Sequence, residues 1–238
     1  MKSTLKSTFH VAPTALAIAL LAVTGSAWAA STASIKVTGT ITPAACNVSV
    51  TNDGKFDYGN ISAGTLSDTQ ANNLGEKTNN LQITCSSPTQ LALKTLDNAH
   101  ASADGSEGVT QAIGAVDSDR LFGLGDTADG KQHLGAYTLA LMYDSLTVNG
   151  TSTAGQLLSK DGGYTWINYG RKVLQTWDNT TWPREPYSWG EPGQTSPLAT
   201  TSLSMPLKVT AGIKPLGKLP SGTELKLNGS TTIELMYL

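Results

Sequence analysis

Apolar and polar residues alternate with a period of two along several stretches of the chain, and the longest begins at Leu203. Leu203, Met205, Leu207, Val209, Ala211 and Ile213 are apolar, while Ser202, Ser204, Lys208, Thr210 and Gly212 between them are polar or small. Successive side chains of a strand point to opposite faces, so this pattern predicts a half-buried β-strand. Pro206 falls on the outward parity and has no N–H to donate, which predicts an edge position or a bulge. Shorter alternation at Tyr137, Leu139, Leu141 and Tyr143, and at Leu81 and Ile83 ahead of Cys85, predicts further strands. No run carries helical periodicity. Turn clusters at Asn149-Gly150, Pro220-Ser221-Gly222 and Asn228-Gly229 punctuate the strands, as an all-β sandwich requires.

Both ends of the chain carry the same period. Ala33, Ile35, Val37, Gly39 and Ile41 alternate with Ser34, Lys36, Thr38, Thr40 and Thr42, which predicts a strand with one apolar and one polar face. Near the other end Leu225, Leu227, Ile233, Leu235 and Tyr237 share one parity, interrupted by Gly229, and the sequence stops at Leu238 without a polar tail. A strand placed there is predicted to be part of the fold.

The residues before the first alternating stretch carry a signal of another kind. A basic start (Lys2, Lys6), an apolar run from Ala15 to Val23 and the small-x-small end Ala27-Trp28-Ala29 make residues 1–29 a cleavable secretory signal, with Ala30 the first mature residue. Export to an oxidising compartment predicts a disulfide between Cys46 and Cys85. It also argues against a metal pair, because the mature chain offers only His100 and His133 and has no C-x-x-C or H-x-x-x-H spacing. The expectation is therefore no metal and no cofactor.

Composition excludes other classes. With 14% charged and 39% hydrophobic residues and 24 glycines, the chain is too apolar for disorder and lacks the make-up of long helices. A net charge of −2 gives no footprint for nucleic acid. Without a G-x-S-x-G elbow or a recognisable nucleophile and base, no enzyme is expected. Ser159-Lys-Asp161-Gly-Gly163-Tyr-Thr165-Trp166 fits the Asp-box pattern of sialidase propellers, but one copy cannot make a propeller and predicts a local hairpin.

Aromatic residues concentrate between Tyr164 and Trp189, and two readings of that stretch stay open. Trp177, Trp182 and Trp189, with polar neighbours such as Asp178 and Arg184, could stack on and orient a glycan. The preferred reading is that they pack down a loop-rich insertion at about 150–197, where Pro183, Pro186 and Pro192 disfavour regular structure.

Several pieces in order resemble the subunits of chaperone-usher fimbriae: Gly39-Thr-Ile-Thr-Pro43-Ala-Ala-Cys46, Phe56-Asp-Tyr58-Gly59-Asn-Ile61, Leu81-Gln-Ile-Thr-Cys85 and the penultimate Tyr237. The middle, including Leu121-Phe-Gly-Leu-Gly125 and Leu134-Gly-Ala-Tyr137, is more similar to a less characterised branch of exported fimbrial-like proteins. The chain is longer than a usual pilin domain, and Gly222 and Gly229 compete for the glycine that precedes the family's last strand. The resemblance implies an incomplete immunoglobulin-like (pilin-type) sandwich at 43–238, open beside its last strand. It implies a donor extension at 30–42, with Ile35, Val37, Gly39 and Ile41 as the inserting face. It further implies a groove or chaperone contact at Leu225, Leu227, Ile233, Leu235 and Tyr237, and assembly by donor-strand complementation. The partners implied are neighbouring fimbrial subunits, a periplasmic chaperone and an outer-membrane usher, with the protein passing through the periplasm to a fimbrium on the cell surface. The other readings are a tip adhesin that binds a surface glycan and a monomeric sandwich that fills its own groove.

Overall fold

The alternation that starts at Leu203 lies within a 14-residue strand, Thr200–Ile213, and the rest of the first sheet is built on it. In the computed structural model, which describes residues 33–40, 44–152, 155–171, 173–178, 180 and 185–238, strands are numbered in chain order. The first sheet runs β1 (Cys46–Val50), β2 (Asn72–Thr89), β11 (Thr200–Ile213), β5 (Gly135–Met142), β4 (Phe122–Gly123), with β6 (Thr147–Val148) beside β11 and β9 (Val173–Gln175) beside β5. The second runs β12 (Thr231–Tyr237), β3 (Leu91–Asp97), β10 (Tyr187–Gly190), β7 (Gly155–Leu158), β8 (Ile167–Asn168). Every pairing between these strands is antiparallel. The protein is an all-β sandwich.

The inward parities of the two sheets make one core. Leu81 and Ile83 of β2, Leu139 and Leu141 of β5, and Leu203, Met205 and Leu207 of β11 cluster with Leu91 and Leu93 of β3 and with Tyr187 and Trp189 of β10. Pro206 is accommodated differently from the sequence expectation, because β11 is an interior strand. On the side away from β2, Leu203 and Ser204 pair with β6 and Leu207–Ile213 pair with β5, so Pro206 falls in the gap between those two neighbours. A missing N–H costs no ladder bond where no partner strand stands opposite.

A short helix, α1 (Glu107–Ala112), escaped the sequence pattern because six residues are under two turns. Val109 and the following Ile113 seat it against Leu121 and Ala136 in a second small apolar cluster.

The stretch at 150–197 is loop-rich among the described residues, and its short strands are woven into the sandwich. It supplies β7, β8 and β10 to the second sheet and β9 to the first. Tyr187 and Trp189 of β10 are fully buried in the core. The Asn149-Gly150 turn is as expected: both residues have positive φ (53° and 80°) and Val148 bridges Thr151 across it. Asn228-Gly229 is no such turn. A Cβ on Gly229 would lie 2.6 Å from Tyr137 Cε1 and 3.0 Å from the Gly123 carbonyl oxygen, so glycine is needed there for a close crossing of backbone over ring.

Cys46 and Cys85 are directly opposite each other in the β1–β2 ladder and are joined by a disulfide. The bridge spans 39 residues, which by loop entropy corresponds to about 4 kcal/mol of stability. Reduction is therefore expected to lower the unfolding free energy by about that amount and the denaturation midpoint with it, read by guanidinium titration with and without reductant. An unchanged midpoint would show that β1 holds its place without the bond.

The chain separates into two units, residues 1–41 and 42–238. In the first, the expected signal at 1–29 and Ile41 lie outside the described residues. Residues 33–40 form no strand, and all are exposed. This corrects the prediction of a strand within the isolated chain: alternation supplies the apolar face, but backbone N–H and C=O groups form a strand only against a neighbour.

Candidate functional site

The feature that departs from a closed sandwich lies between two edge strands, one from each sheet. β1 has a ladder neighbour only in β2, and β12 only in β3, among the described residues. Between β1 and β12 the layers leave a cleft of about 810 Å³. One wall is Val48 and Val50 of β1 with the segment Phe56–Tyr58; the other is Leu227, Thr231 and Ile233. The floor is core, formed by Tyr137 and Leu139 of β5 and by Leu207, Val209 and Ala211 of β11.

Each wall is held by identifiable contacts. The Tyr58 hydroxyl lies within hydrogen-bond reach of the carbonyls of Gly75 (3.1 Å) and Val209 (3.3 Å), to either of which its one proton is donated; this pins the Phe56–Tyr58 segment onto β2 and β11, and burial raises the hydroxyl's pKa. The crossing at Gly229 brings the opposite wall over Tyr137, whose hydroxyl is hydrogen-bonded to Thr231 Oγ1. Burial pushes the Tyr137 hydroxyl's pKa well above its ordinary value, so the floor stays uncharged. Asp53, Lys55 and Asp57 give the β1 side a charged rim.

The C-terminal residues singled out in the sequence divide by role. Leu227, Ile233 and Leu235 pack against the main core, and the first two also face the cleft. Leu225 is half-buried in the segment before β12 and does not line the cleft. The strand starts at Thr231, two residues after Gly229, which fixes its register: Thr231 pairs with Asp97 and Tyr237 with Leu91. Tyr237 is 52% exposed, and its hydroxyl accepts a hydrogen bond from the Cys46 N–H at 3.0 Å. This contact links β12 to β1 and joins the two sheets at one end of the cleft. Tyr58, Tyr137 and Leu139 were not legible as site residues, since an inward position on a strand does not reveal which part of the core stays uncovered.

The N-terminal residues singled out in the sequence are open to solvent where they are described. Ile35 and Val37 stand 91% and 93% exposed, and a Cβ on Gly39 would meet nothing within 4 Å.

The three tryptophans do not form a platform among the described residues. Trp189 is 0% exposed and its Nε1 donates to Thr200 Oγ1 at 2.7 Å, so it is a core residue with its polar edge satisfied. That removes it as a sugar contact, because its ring faces are occupied by packing. Trp177 packs against the core with the Arg120 guanidinium 4.0 Å over its ring. Trp182 lies outside the described residues. Among the described residues of this stretch, Tyr164 and Tyr169 are the exposed aromatics.

The Asp-box segment is the local hairpin the sequence predicts. Asp161 accepts from Thr165 N at 2.9 Å and from Thr165 Oγ1 at 2.6 Å, and Ser159 Oγ accepts from Gly163 N at 2.7 Å. The bond from the Thr165 hydroxyl first, then those from the Thr165 N–H and the Ser159 hydroxyl, hold the Asp161 carboxyl down at about 2. Its acceptor positions are spent on the turn.

The family described as "Protein of unknown function (DUF1120)" matches residues 35–138, a span that starts in the exposed N-terminal segment and ends in β5. Two Escherichia coli (strain K12) proteins are similar over nearly the whole chain. "Uncharacterized protein YhcF" is 30% identical over 229 residues, covering 90% of this chain and 93% of the relative. "Protein GltF" is 26% identical over 223 residues, covering 86% and 87%.

Proposed function

We propose, from the premise that the chain belongs to the DUF1120 family, that it is an exported structural subunit of a fimbrial-like surface fibre, assembled by donor-strand complementation. The observation that carries this reading is the cleft between β1 and β12: an apolar trough about 810 Å³ in volume, bordered by a strand edge and floored by core side chains. An open edge over apolar core is an aggregation hazard unless another strand covers it. The chain carries a segment of the right kind, with Ile35 and Val37 on one face and polar residues on the other, exposed rather than buried. Strand addition uses both features, since backbone bonds to the edge give affinity and alternate side chains fill the trough.

On this reading the cleft is covered first by a strand from a periplasmic chaperone and then, at an outer-membrane usher, by residues 30–42 of the next subunit. The site is a surface for binding protein, and no chemistry is asked of it. The glycan reading draws no support from Trp189, which is buried, or from Trp177, which is packed beneath Arg120.

A synthetic peptide of residues 30–42, added to protein lacking those residues, is expected to bind saturably and raise its melting temperature. The same peptide with Leu in place of Gly39 is expected to bind far more weakly. Absence of binding by the unaltered peptide would overturn the proposal.

A further inference from the structure

Away from the cleft floor, three residues with metal-ligating side chains meet at one end of the sandwich. Asp97 ends β3, His100 starts the short 3-10 turn His100–Ser102, and Asp178 follows β9. One ligand atom from each lies within 4.8 Å of the others. Asp97 and Asp178 are both buried.

Most of the carboxylate oxygens are engaged by the backbone. Asp97 Oδ1 accepts from Ala99 N at 2.8 Å and Oδ2 from Gly123 N at 2.5 Å. Asp178 Oδ1 accepts from Asp97 N and Thr180 N, both at 3.0 Å, and from the Thr180 hydroxyl. The exception is Asp178 Oδ2. Its side chain is 4% exposed, and the oxygen accepts no backbone hydrogen bond among the described residues; it faces His100 Nδ1 in an ion pair.

Charge sharpens the point. Two buried carboxylates face one imidazole whose side chain is 48% exposed, and the two acids repel each other. A buried carboxylate pair is costly unless cations balance it, and a single imidazolium leaves a net negative charge. A divalent ion held by one ring nitrogen and two carboxylate oxygens removes the deficit and takes the Asp178 oxygen that no backbone N–H engages. One nitrogen and two oxygens are a donor set that zinc-class ions accept, and the exposed side of His100 leaves room for water as a further ligand.

We propose that Asp97, His100 and Asp178 form a binding site for a divalent transition-metal ion of the zinc class. The absence of a short-spaced ligand motif does not bear on it, because the fold brings residues 97 and 100 to residue 178. The ion would tie the end of β3 to the segment after β9. Asp97 is also the ladder partner of Thr231, which lines the cleft, so the site braces that wall from behind. The site stands independently of what fills the cleft.

The test uses the mature protein stripped with chelator and titrated with zinc chloride by calorimetry, and with cobalt(II) by visible absorption. One equivalent is expected to bind and to raise the melting temperature. His100→Ala is expected to weaken zinc binding by about 10- to 100-fold or more. Being half-exposed, His100 is a substitution the fold tolerates better than Asp178→Asn, which also removes support from the Asp97 and Thr180 backbone. His133→Ala, at a histidine bonded to Asp126, serves as control and is expected to leave affinity unchanged. The proposal is overturned if no metal binds at millimolar concentration, or if His100→Ala binds zinc as the parent does. Either outcome would leave Asp97 and Asp178 as loop caps, with His100 as an ordinary ion-pair partner.

Discussion

A subunit lacking residues 30–42 is expected to yield no polymer while still forming a soluble complex with its chaperone. The missing segment carries the exposed apolar face of Ile35 and Val37, whereas the cleft belongs to residues 42–238 and survives the deletion. The acceptor is therefore intact and only the donor is lost. Size-exclusion chromatography of the chaperone complex, with electron microscopy of surface fibres, reads both halves of the result. Gly39→Leu is expected to reproduce the loss of polymer, because a donor backbone that must approach the floor has no room for a side chain. If the deletion unfolds the protein instead, the segment fills its own groove. If the mature protein stays monomeric at high concentration without a chaperone, the fibre reading fails altogether.

Trp189→Ala is expected to cost about 3–5 kcal/mol of stability, the range for removing a fully buried aromatic ring. The ring sits between the sheets with no exposure, and its Nε1 bond to Thr200 Oγ1 goes with it. Chemical denaturation measures the loss directly. A variant as stable as the parent would contradict the core position of Trp189 and return it to the set of candidate glycan contacts.

The sequence made some elements legible and hid others, for physical reasons tied to particular residues. β11 announces itself because six apolar residues hold one parity without a break. The edge rule for Pro206 misled because it assumes one continuous neighbour on each side, whereas two short strands share that side of β11. In the aromatic stretch, neither Trp189 nor Trp177 differs from a surface tryptophan by any local pattern, since burial there depends on where β10 docks. Glycine at 229 looked like a turn residue because turns and close crossings select the same small residue. Of the cleft, the apolar parity of Leu227 and Ile233 was readable, but its floor was not. Asp97 and Asp178 stand 81 residues apart, so only the fold brings them together.

The two walls of the cleft come from opposite ends of the domain, and that distance governs the order in which the molecule is completed. The bond between Cys46 N–H and the Tyr237 hydroxyl closes a separation of 191 residues, and β12 reaches back across more than a hundred residues to pair with β3. A chain synthesised from its N-terminus makes β1, β2 and their disulfide partners available early, while β12 arrives last. Pairings of such long sequence separation also form slowly. During the interval the edge of β3 and the apolar trough above Leu207 and Val209 are both uncovered. Any extended peptide that reaches the β3 edge in that time competes with the chain's own last strand for the same row of backbone groups.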